Sequence, residues 1–167
     1  DYIAIYIFEP KLLSHPDSSL RHQQFIYHSI LDMNTSLQPF NRHIHVFYAN
    51  ADEVFSYLTK MHFFTKVFSY QESGIKVSWE RDKQVAEILK NNSVEWSEFE
   101  NQSVKRGVNH RVGWDKDWYL YAHSECIQNT FSKCQLSIEK SPFDFDIKKH
   151  PDLEYYPKNY QPAGQSF

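Results

Sequence analysis

The stretch YIAIYIF, Tyr2 to Phe8, decides the fold class. Isoleucines occupy alternate positions, and aromatic residues or alanine fill the positions between them, so both faces are apolar. A strand that is apolar on both faces is typical of a parallel sheet covered by helices on both sides. Glu9 and Pro10 end the strand, because proline has no N–H group to donate to a neighbouring strand.

Strands and helices alternate along the chain as far as Phe99. Amphipathic helices separate the strands; the first begins with Ser18 or Ser19 as its N-cap, and Asn50 can cap the second. This alternation predicts an α/β fold with a parallel sheet and right-handed crossovers. The three further strands are predicted at His43–Ala49, Phe64–Tyr70 and Val94–Phe99.

Composition narrows the class of protein. The 167 residues are 41% hydrophobic and 23% charged, which suits one domain with a buried core. A net charge of −3 gives no general attraction to phosphate backbones, and the 4 glycines form no P-loop or dinucleotide motif. Cys126 and Cys134 form neither a disulfide framework nor a metal knuckle, so a cytoplasmic location is expected. No apolar run approaches the roughly 20 residues of a membrane span.

The pattern breaks after Glu100. Residues 101–118 are polar and basic, contain tryptophan and show no clear period. Residues 135–167 carry four prolines and many aromatic residues, which indicates an ordered linker that wraps a surface or leads to a second domain. We therefore predict an α/β domain over residues 1–134 and an interdomain linker over residues 135–167.

Five stretches, in this order along the chain, resemble the N-terminal α/β domain of the photolyase/cryptochrome family. Together they cover nearly the whole chain, and the Arg81-Asp82 pair that opens a helix is the most specific single point. The stretches are IYIFEP (Ile5–Pro10), SSLRHQQFIYHSILDMNTSL (Ser18–Leu37), YQESGIKVSWERDKQV (Tyr70–Val85), EWSEFENQSVKRGVNHRVGWDKDW (Glu95–Trp118) and YQPAGQSF (Tyr160–Phe167).

The resemblance implies a Rossmann-like or flavodoxin-like three-layer sandwich with a mostly parallel sheet in the strand order 3-2-1-4-5. The family's first strand and its Arg-Asp-Leu-Arg loop have no counterpart here. The family's helical FAD-binding domain would begin after QPAGQSF, where this sequence stops. We expect the chain to be an antenna domain, truncated at its start, with the linker to an absent helical domain.

The resemblance also implies a function. In the family, this domain holds an accessory light-harvesting chromophore, which is a folate, a deazaflavin or a flavin. The chromophore passes excitation to FAD in the helical domain, and FAD splits pyrimidine dimers in DNA or, in cryptochromes, serves signalling. The expected partners are that helical domain and, through it, damaged DNA, while no catalytic residue is expected in this chain. The rivals are a signalling cryptochrome and a stand-alone nucleotide-binding α/β module.

The candidate ligand site lies where strands end. Ligands of doubly wound sheets bind in the crevice at the carboxyl ends of the strands, and a planar chromophore needs an apolar wall with a few polar groups. Glu9 and Glu72 either contact the ligand or only cap loops and face water, and Arg21 either contacts an acidic tail of the ligand or only solvates its helix. The predicted cofactor-binding residues are Phe8, Glu9, Pro10, Arg21, Tyr70, Gln71 and Glu72.

Three other constellations have mainly structural interpretations. Arg81 and Asp82 are expected to serve as scaffold, and Val77 and Ser78 replace the Asn-Glu pair with which one family branch holds folate. His43 and His45 share a strand face, but no third ligand is spaced to join them, so no metal is predicted.

The stretch KRGVNHRVGWDKDW interleaves basic residues with Trp114 and Trp118. Such a pattern can bind nucleic acid, but Asp115 and Asp117 interrupt it. We predict instead a docking loop in which Trp114 or Trp118 is buried against residues 135–167.

The absence of the family's first strand predicts that two strands have an unpaired edge. In the family order it would lie between Tyr2–Phe8 and Phe64–Tyr70, and its loss would leave rows of unpaired backbone groups. Three outcomes are open: the strand lies upstream of Asp1, the two flanking strands pair directly, or a second copy supplies a strand. We favour the first outcome, and a dimer if the protein truly starts at Asp1.

Overall fold

A computed structural model of the chain describes residues 1–71, 74–99, 110–125 and 128–164. Strands alternate with helices and pair in parallel, so the predicted α/β class is confirmed. The elements are β1 (Ala4–Phe8), α1 (Pro10–Leu13), α2 (Leu20–Leu37), β2 (Ile44–Tyr48), α3 (Ala51–Met61), β3 (Lys66–Tyr70), α4 (Lys76–Asn91), β4 (Glu95–Phe99), α5 (Trp114–Ala122) and α6 (Pro151–Glu154), with 3₁₀ turns at Gln38–Phe40 and Ile147–Lys149.

The chain forms two compact units. Residues 1–54 and 130–167 form the first unit, and residues 55–129 form the second. The predicted boundary at residue 134 stays a prediction. No helix in the described part of the chain is both long and apolar enough to cross a bilayer.

The first unit is built on two parallel strands and a long helix. β1 pairs with β2 in a register that runs from Ala4 opposite Ile44 to Phe8 opposite Tyr48. Ser19 is the N-cap of α2, because its side chain accepts the N–H of His22 at 3.4 Å. A serine at this position satisfies one of the amides that a helix start leaves without an intrahelical partner.

The predicted linker is largely part of the first unit. The N–H of Tyr48 donates to the carbonyl of Phe143 at 2.8 Å, and the N–H of Phe145 donates to Val46 at 2.9 Å. Residues 143–145 therefore run antiparallel along the edge of β2 that faces away from β1. Further along, Leu153 of α6 is buried and completes the apolar core.

The end of the described chain is fixed on α2. The N–H of Gly164 donates to the hydroxyl of Ser29 at 3.2 Å, and its φ of +86° lies in the left-handed region. A Cβ at this position would overlap the side chain of Asp32. Only glycine adopts this backbone at low cost and also leaves room for Asp32.

We expect Gly164→Ala to lower the free energy of unfolding by about 1–2 kcal/mol because of the left-handed backbone alone. The overlap of the new Cβ with Asp32 should lower it further. Gly113→Ala is the matched control, because its φ is +80° and nothing lies within 4 Å of the added Cβ. Urea unfolding of both variants measures the two costs. Equal losses would contradict the contact with Asp32.

The second unit contains the other parallel pair. β3 and β4 run in register from Lys66 opposite Glu95 to Tyr70 opposite Phe99, and α4 links them. Lys66 and Glu95 form an exposed ion pair at 2.9 Å. Because the family's first strand has no counterpart here, β1–β2 and β3–β4 correspond to the family pairs 2-3 and 4-5 of the order 3-2-1-4-5. The order of the complete sheet and the fate of the predicted open edges stay predictions.

The region after β4 differs from the prediction. Residues 101–118 were expected to lack regular structure, but Trp114–Ala122 is a helix. Asp115 and Asp117 in its first turn suit the positive end of the helix dipole. Trp114 and Trp118 belong to the second unit and residues 135–167 to the first, so the prediction that one of these tryptophans is buried against that segment stays a prediction. Lys105 and Arg106 lie outside the described residues.

Candidate functional site

Glu9 is a buried carboxylate at the carboxyl end of β1. Its Oε2 accepts the N–H of Ala51, the first residue of α3, at 3.0 Å. A carboxylate is favourable there because it bonds a free amide at the positive end of a helix. Glu9 therefore caps α3 from inside the protein and does not face water.

Phe8 and Pro10 flank this carboxylate in different ways. The ring of Phe8 is fully buried, and its centroid lies 5.2 Å from that of Phe145 and 5.0 Å from that of Tyr6. Pro10 begins α1, a single helical turn that the sequence pattern did not predict. Proline is suited to a first helical position, because the N–H that it lacks would have no partner there.

Arg21 contacts the chain beyond α6. Its guanidinium carbon lies 4.7 Å from the centre of the Tyr160 ring, which is a cation–π distance. Nearby on α2, Nε2 of His28 lies 3.1 Å from the carbonyls of Leu153 and Glu154. Arg21 thus does more than solvate its helix, because its cation–π contact with Tyr160 holds the terminal segment against α2.

The carboxyl ends of β3 and β4 carry an exposed aromatic face. Tyr70 is 69% exposed and stands in register with the exposed Phe99. Phe68, two residues before Tyr70, is on the same face, and its ring stacks on Phe99 with centroids 6.1 Å apart. The aromatic face of Phe68, Tyr70 and Phe99 is open to a flat ligand.

Sequence reasoning identified Tyr70 but missed Phe68 and Phe99. The alternation of aromatic residues in FTKVFSY was the signal that could have found Phe68. Gln71 extends the β3–β4 ladder, because its N–H donates to the carbonyl of Phe99 at 2.8 Å. Glu72 lies outside the described residues. The prediction that Phe8, Glu9, Tyr70, Gln71 and Glu72 line one crevice stays a prediction, because Phe8 and Glu9 belong to the first unit and Tyr70 and Gln71 to the second.

Local hydrogen bonds hold the first two turns of α4, which begins at Lys76, so the Arg81-Asp82 pair lies in its second turn and does not open the helix as expected. Nε and Nη2 of Arg81 donate to Oδ1 of Asp82 at 3.0 and 2.7 Å. The buried Ser78 donates its hydroxyl to the carbonyl of Ile75 at 2.8 Å, which closes the first turn. These contacts agree with the predicted scaffold role of Arg81 and Asp82.

His45 on β2 has an acidic partner, and His43 directly precedes the strand. Nε2 of His45 lies 2.9 Å from Oδ1 of Asp144, and the His45 ring packs on Phe47 with centroids 4.6 Å apart. The His43 ring lies 6.0 Å from that of His45. Within the described residues, no group of three histidine, cysteine or acidic side chains could hold a metal ion.

The packing of the first unit also affects the titration of Tyr27 on α2. Burial raises the pKa of its hydroxyl above the ordinary value of 10.0, and the negative charge of Glu154 raises that pKa further. A folded-state pKa above the unfolded value stabilises the fold at pH values below 10, and this contribution is lost as pH rises through the folded pKa.

We expect Glu154→Gln to lower the pKa of Tyr27 but to leave it above 10.0, because burial is the larger cause. NMR of ring-labelled tyrosines across alkaline pH measures the change. Tyr27→Phe identifies the signal among the 11 tyrosines of the chain. An unchanged pKa in Glu154→Gln would contradict the electrostatic contribution of Glu154.

Comparisons with known proteins find a matching sequence family and similar solved structures. The sequence model of the DNA photolyase family matches residues 1–106. No curated protein matches the sequence. A photolyase from Sulfolobus tokodaii, crystallised with two FAD molecules, has a TM-score of 0.66 at 17% identity over 97% of this chain and 37% of its own.

Two further solved structures are similar. A cryptochrome of Synechocystis sp. PCC6803 has a TM-score of 0.62 at 13% identity over 87% of this chain and 34% of its own. A class III photolyase of Agrobacterium tumefaciens has a TM-score of 0.58 at 14% identity over 94% of this chain and 33% of its own. The chain therefore spans about a third of the length of these structures. Because the family model matches well over half of its residues, the chain belongs to the photolyase/cryptochrome family and corresponds to its N-terminal α/β domain.

Proposed function

We propose that this chain is the antenna-chromophore-binding domain of a photolyase-like flavoprotein. The intact protein would use blue or near-UV light to split pyrimidine dimers, with FAD and the damaged DNA bound by a helical domain. Family membership supports this proposal, as do the similar photolyases from Sulfolobus tokodaii and Agrobacterium tumefaciens. A stand-alone nucleotide-binding module that only shares the fold is disfavoured by the family match.

The observation that carries the proposal is the aromatic face of Phe68, Tyr70 and Phe99. A folate, deazaflavin or flavin is planar and needs a flat apolar surface for stacking. The face lies at the carboxyl ends of β3 and β4, where ligands of α/β sheets bind, so its chemistry fits such a ring. When bound, the chromophore absorbs light and passes the excitation on, while these side chains bind and orient it.

The first test is titration of the protein with FAD, a reduced folate or a deazaflavin, followed by ligand fluorescence. We expect one of the three to bind and Tyr70→Ala to weaken that binding by about three- to tenfold, as the loss of one stacking ring would. Phe63→Ala is the matched control, because Phe63 is 95% exposed and lies outside β3 and β4. Equal effects of the two variants would contradict binding at the aromatic face.

A signalling cryptochrome is the second candidate, favoured by the similarity to the Synechocystis cryptochrome. The two candidate functions differ in whether the protein repairs pyrimidine dimers in DNA. The full-length protein, given an oligonucleotide with a pyrimidine dimer under blue light, would restore the bases if it is a photolyase and leave the dimer intact if it only signals.

A further inference from the structure

β4 has an open edge. The N–H of Glu95 donates to the carbonyl of Thr65 at 2.9 Å, so the backbone groups of Glu95 face β3. Backbone groups of a strand in a parallel ladder point alternately to either side. The N–H and C=O groups of Trp96 and Glu98 therefore point away from β3. Among the described residues, β4 has no second strand to pair with them.

A groove runs beside this edge. Its volume is about 450 Å³, and its lining residues come from α4, from β4 and from Val94, which directly precedes β4. Apolar groups from both elements line most of its length: Trp79, Ala86 and Leu89 from α4, and Val94 and Trp96 at β4. Trp79 and Ala86 are exposed, although both lie on the side of α4 that faces β4. The groove is thus an apolar surface next to a strand edge that can accept another strand.

Charged side chains also line the groove: Lys90 at one end, Glu98 at the other, and Asp82 and Lys83 between them. A helix that links two parallel strands runs back against them, so the end of α4 with Lys90 lies near Val94 and the start of α4 lies near Glu98. No ion-pair partner for Lys90 or Glu98 is found in the part of the chain that the structure describes. Each end therefore presents a charge that the opposite end would attract.

We propose that a second copy of this chain binds here, through antiparallel pairing of β4 with the partner's β4 about a two-fold axis at Trp96. The two Trp96 residues would then exchange backbone hydrogen bonds, and Glu98 would lie opposite the partner's Val94, beside the partner's Lys90. An isologous interface requires a surface that is complementary to itself, and the opposite charges of this groove meet that requirement.

The spacing of the helices agrees with this arrangement. Neighbouring strands lie about 4.8 Å apart, and a helix that links two of them lies above the gap between them. Across a β4–β4 axis the two α4 helices would be about 10 Å apart, close to the distance at which helices pack. The groove of one copy would then be filled by the apolar face of the other, including Trp79 and Ala86. An unrelated extended peptide would fill the edge but would bring no second helix.

Sedimentation equilibrium tests the proposal at protein concentrations up to about 100 μM, where the wild-type chain is expected to dimerise. Ala86→Glu places a charge in the groove and should raise the dissociation constant by at least about tenfold. Gln84→Glu is the matched control, because it adds the same charge at an exposed position of α4 outside the groove, and it should leave the constant unchanged.

Charge exchange tests the two-fold geometry. Lys90→Glu and Glu98→Lys should each weaken the dimer by about tenfold, because each puts like charges together, and the double variant should restore it to within about threefold. A wild-type chain that stays monomeric overturns the proposal. So does a dimer that Ala86→Glu leaves intact, since a dimer formed through an edge of β1 or β3 would not depend on Ala86.

Discussion

Phe47→Ala is expected to lower the free energy of unfolding by about 3–5 kcal/mol, the usual cost of removing a buried phenyl ring. Phe47 is 0% exposed at the centre of the first unit, where it stands in register with Ile7 and packs on the His45 ring. β2 is hydrogen-bonded on both edges, to β1 and to residues 143–145, and these backbone hydrogen bonds resist collapse of the cavity left behind.

Urea unfolding followed by far-UV circular dichroism measures this loss. Phe63→Ala removes the same ring from a site that is 95% exposed, and it should change stability by no more than about 0.5 kcal/mol. A Phe47→Ala loss below about 1.5 kcal/mol would mean that the site collapses freely, which the packing described here does not allow.

Glu9→Ala is expected to cost about 2–3 kcal/mol, because it leaves the N–H of Ala51 buried without its acceptor and removes a carboxylate from the start of α3. Glu9→Gln keeps an oxygen acceptor of nearly the same shape and should cost about 1 kcal/mol.

The difference between the two Glu9 variants is the informative quantity, again from urea unfolding. If both variants lose the same stability, the charge of Glu9 and not its hydrogen bond to Ala51 holds α3. If neither loses stability, neither the charge of Glu9 nor its hydrogen bond to Ala51 supports α3, and its place among the predicted ligand-binding residues gains support.

The strands were predictable because their signal is local. The apolar alternation from Tyr2 to Phe8 and the aromatic alternation that ends at Tyr70 each lie within one element, and the observed strands begin only a residue or two inside the predicted ones. The α5 helix was missed for the opposite reason. Tyr119, Leu120 and Tyr121 follow one another directly, and all three are exposed. The segment therefore has no separate apolar face, and its sequence shows no helical period.

The contacts of the candidate site could not be predicted in the same way. Glu9 meets Ala51 across 42 residues of sequence, and Arg21 meets Tyr160 from almost the other end of the chain. No spacing rule connects such residues, because tertiary packing alone brings them together. The sequence pattern placed Glu9 at the end of a strand, which is correct, but whether its carboxylate faces water or a helix depends on that packing.

The division of the first unit between residues 1–54 and 130–167 has a consequence for synthesis on the ribosome. The contiguous second unit can fold as soon as its last residue emerges. β2, in contrast, must wait for residues 143–145, almost a hundred positions later, before its outer edge is covered. Contacts so distant in sequence form slowly, because the loop between them must close first. During translation, the first unit is therefore completed after the second unit, and the nascent chain exposes the edge of β2 to chaperones until residues 143–145 emerge.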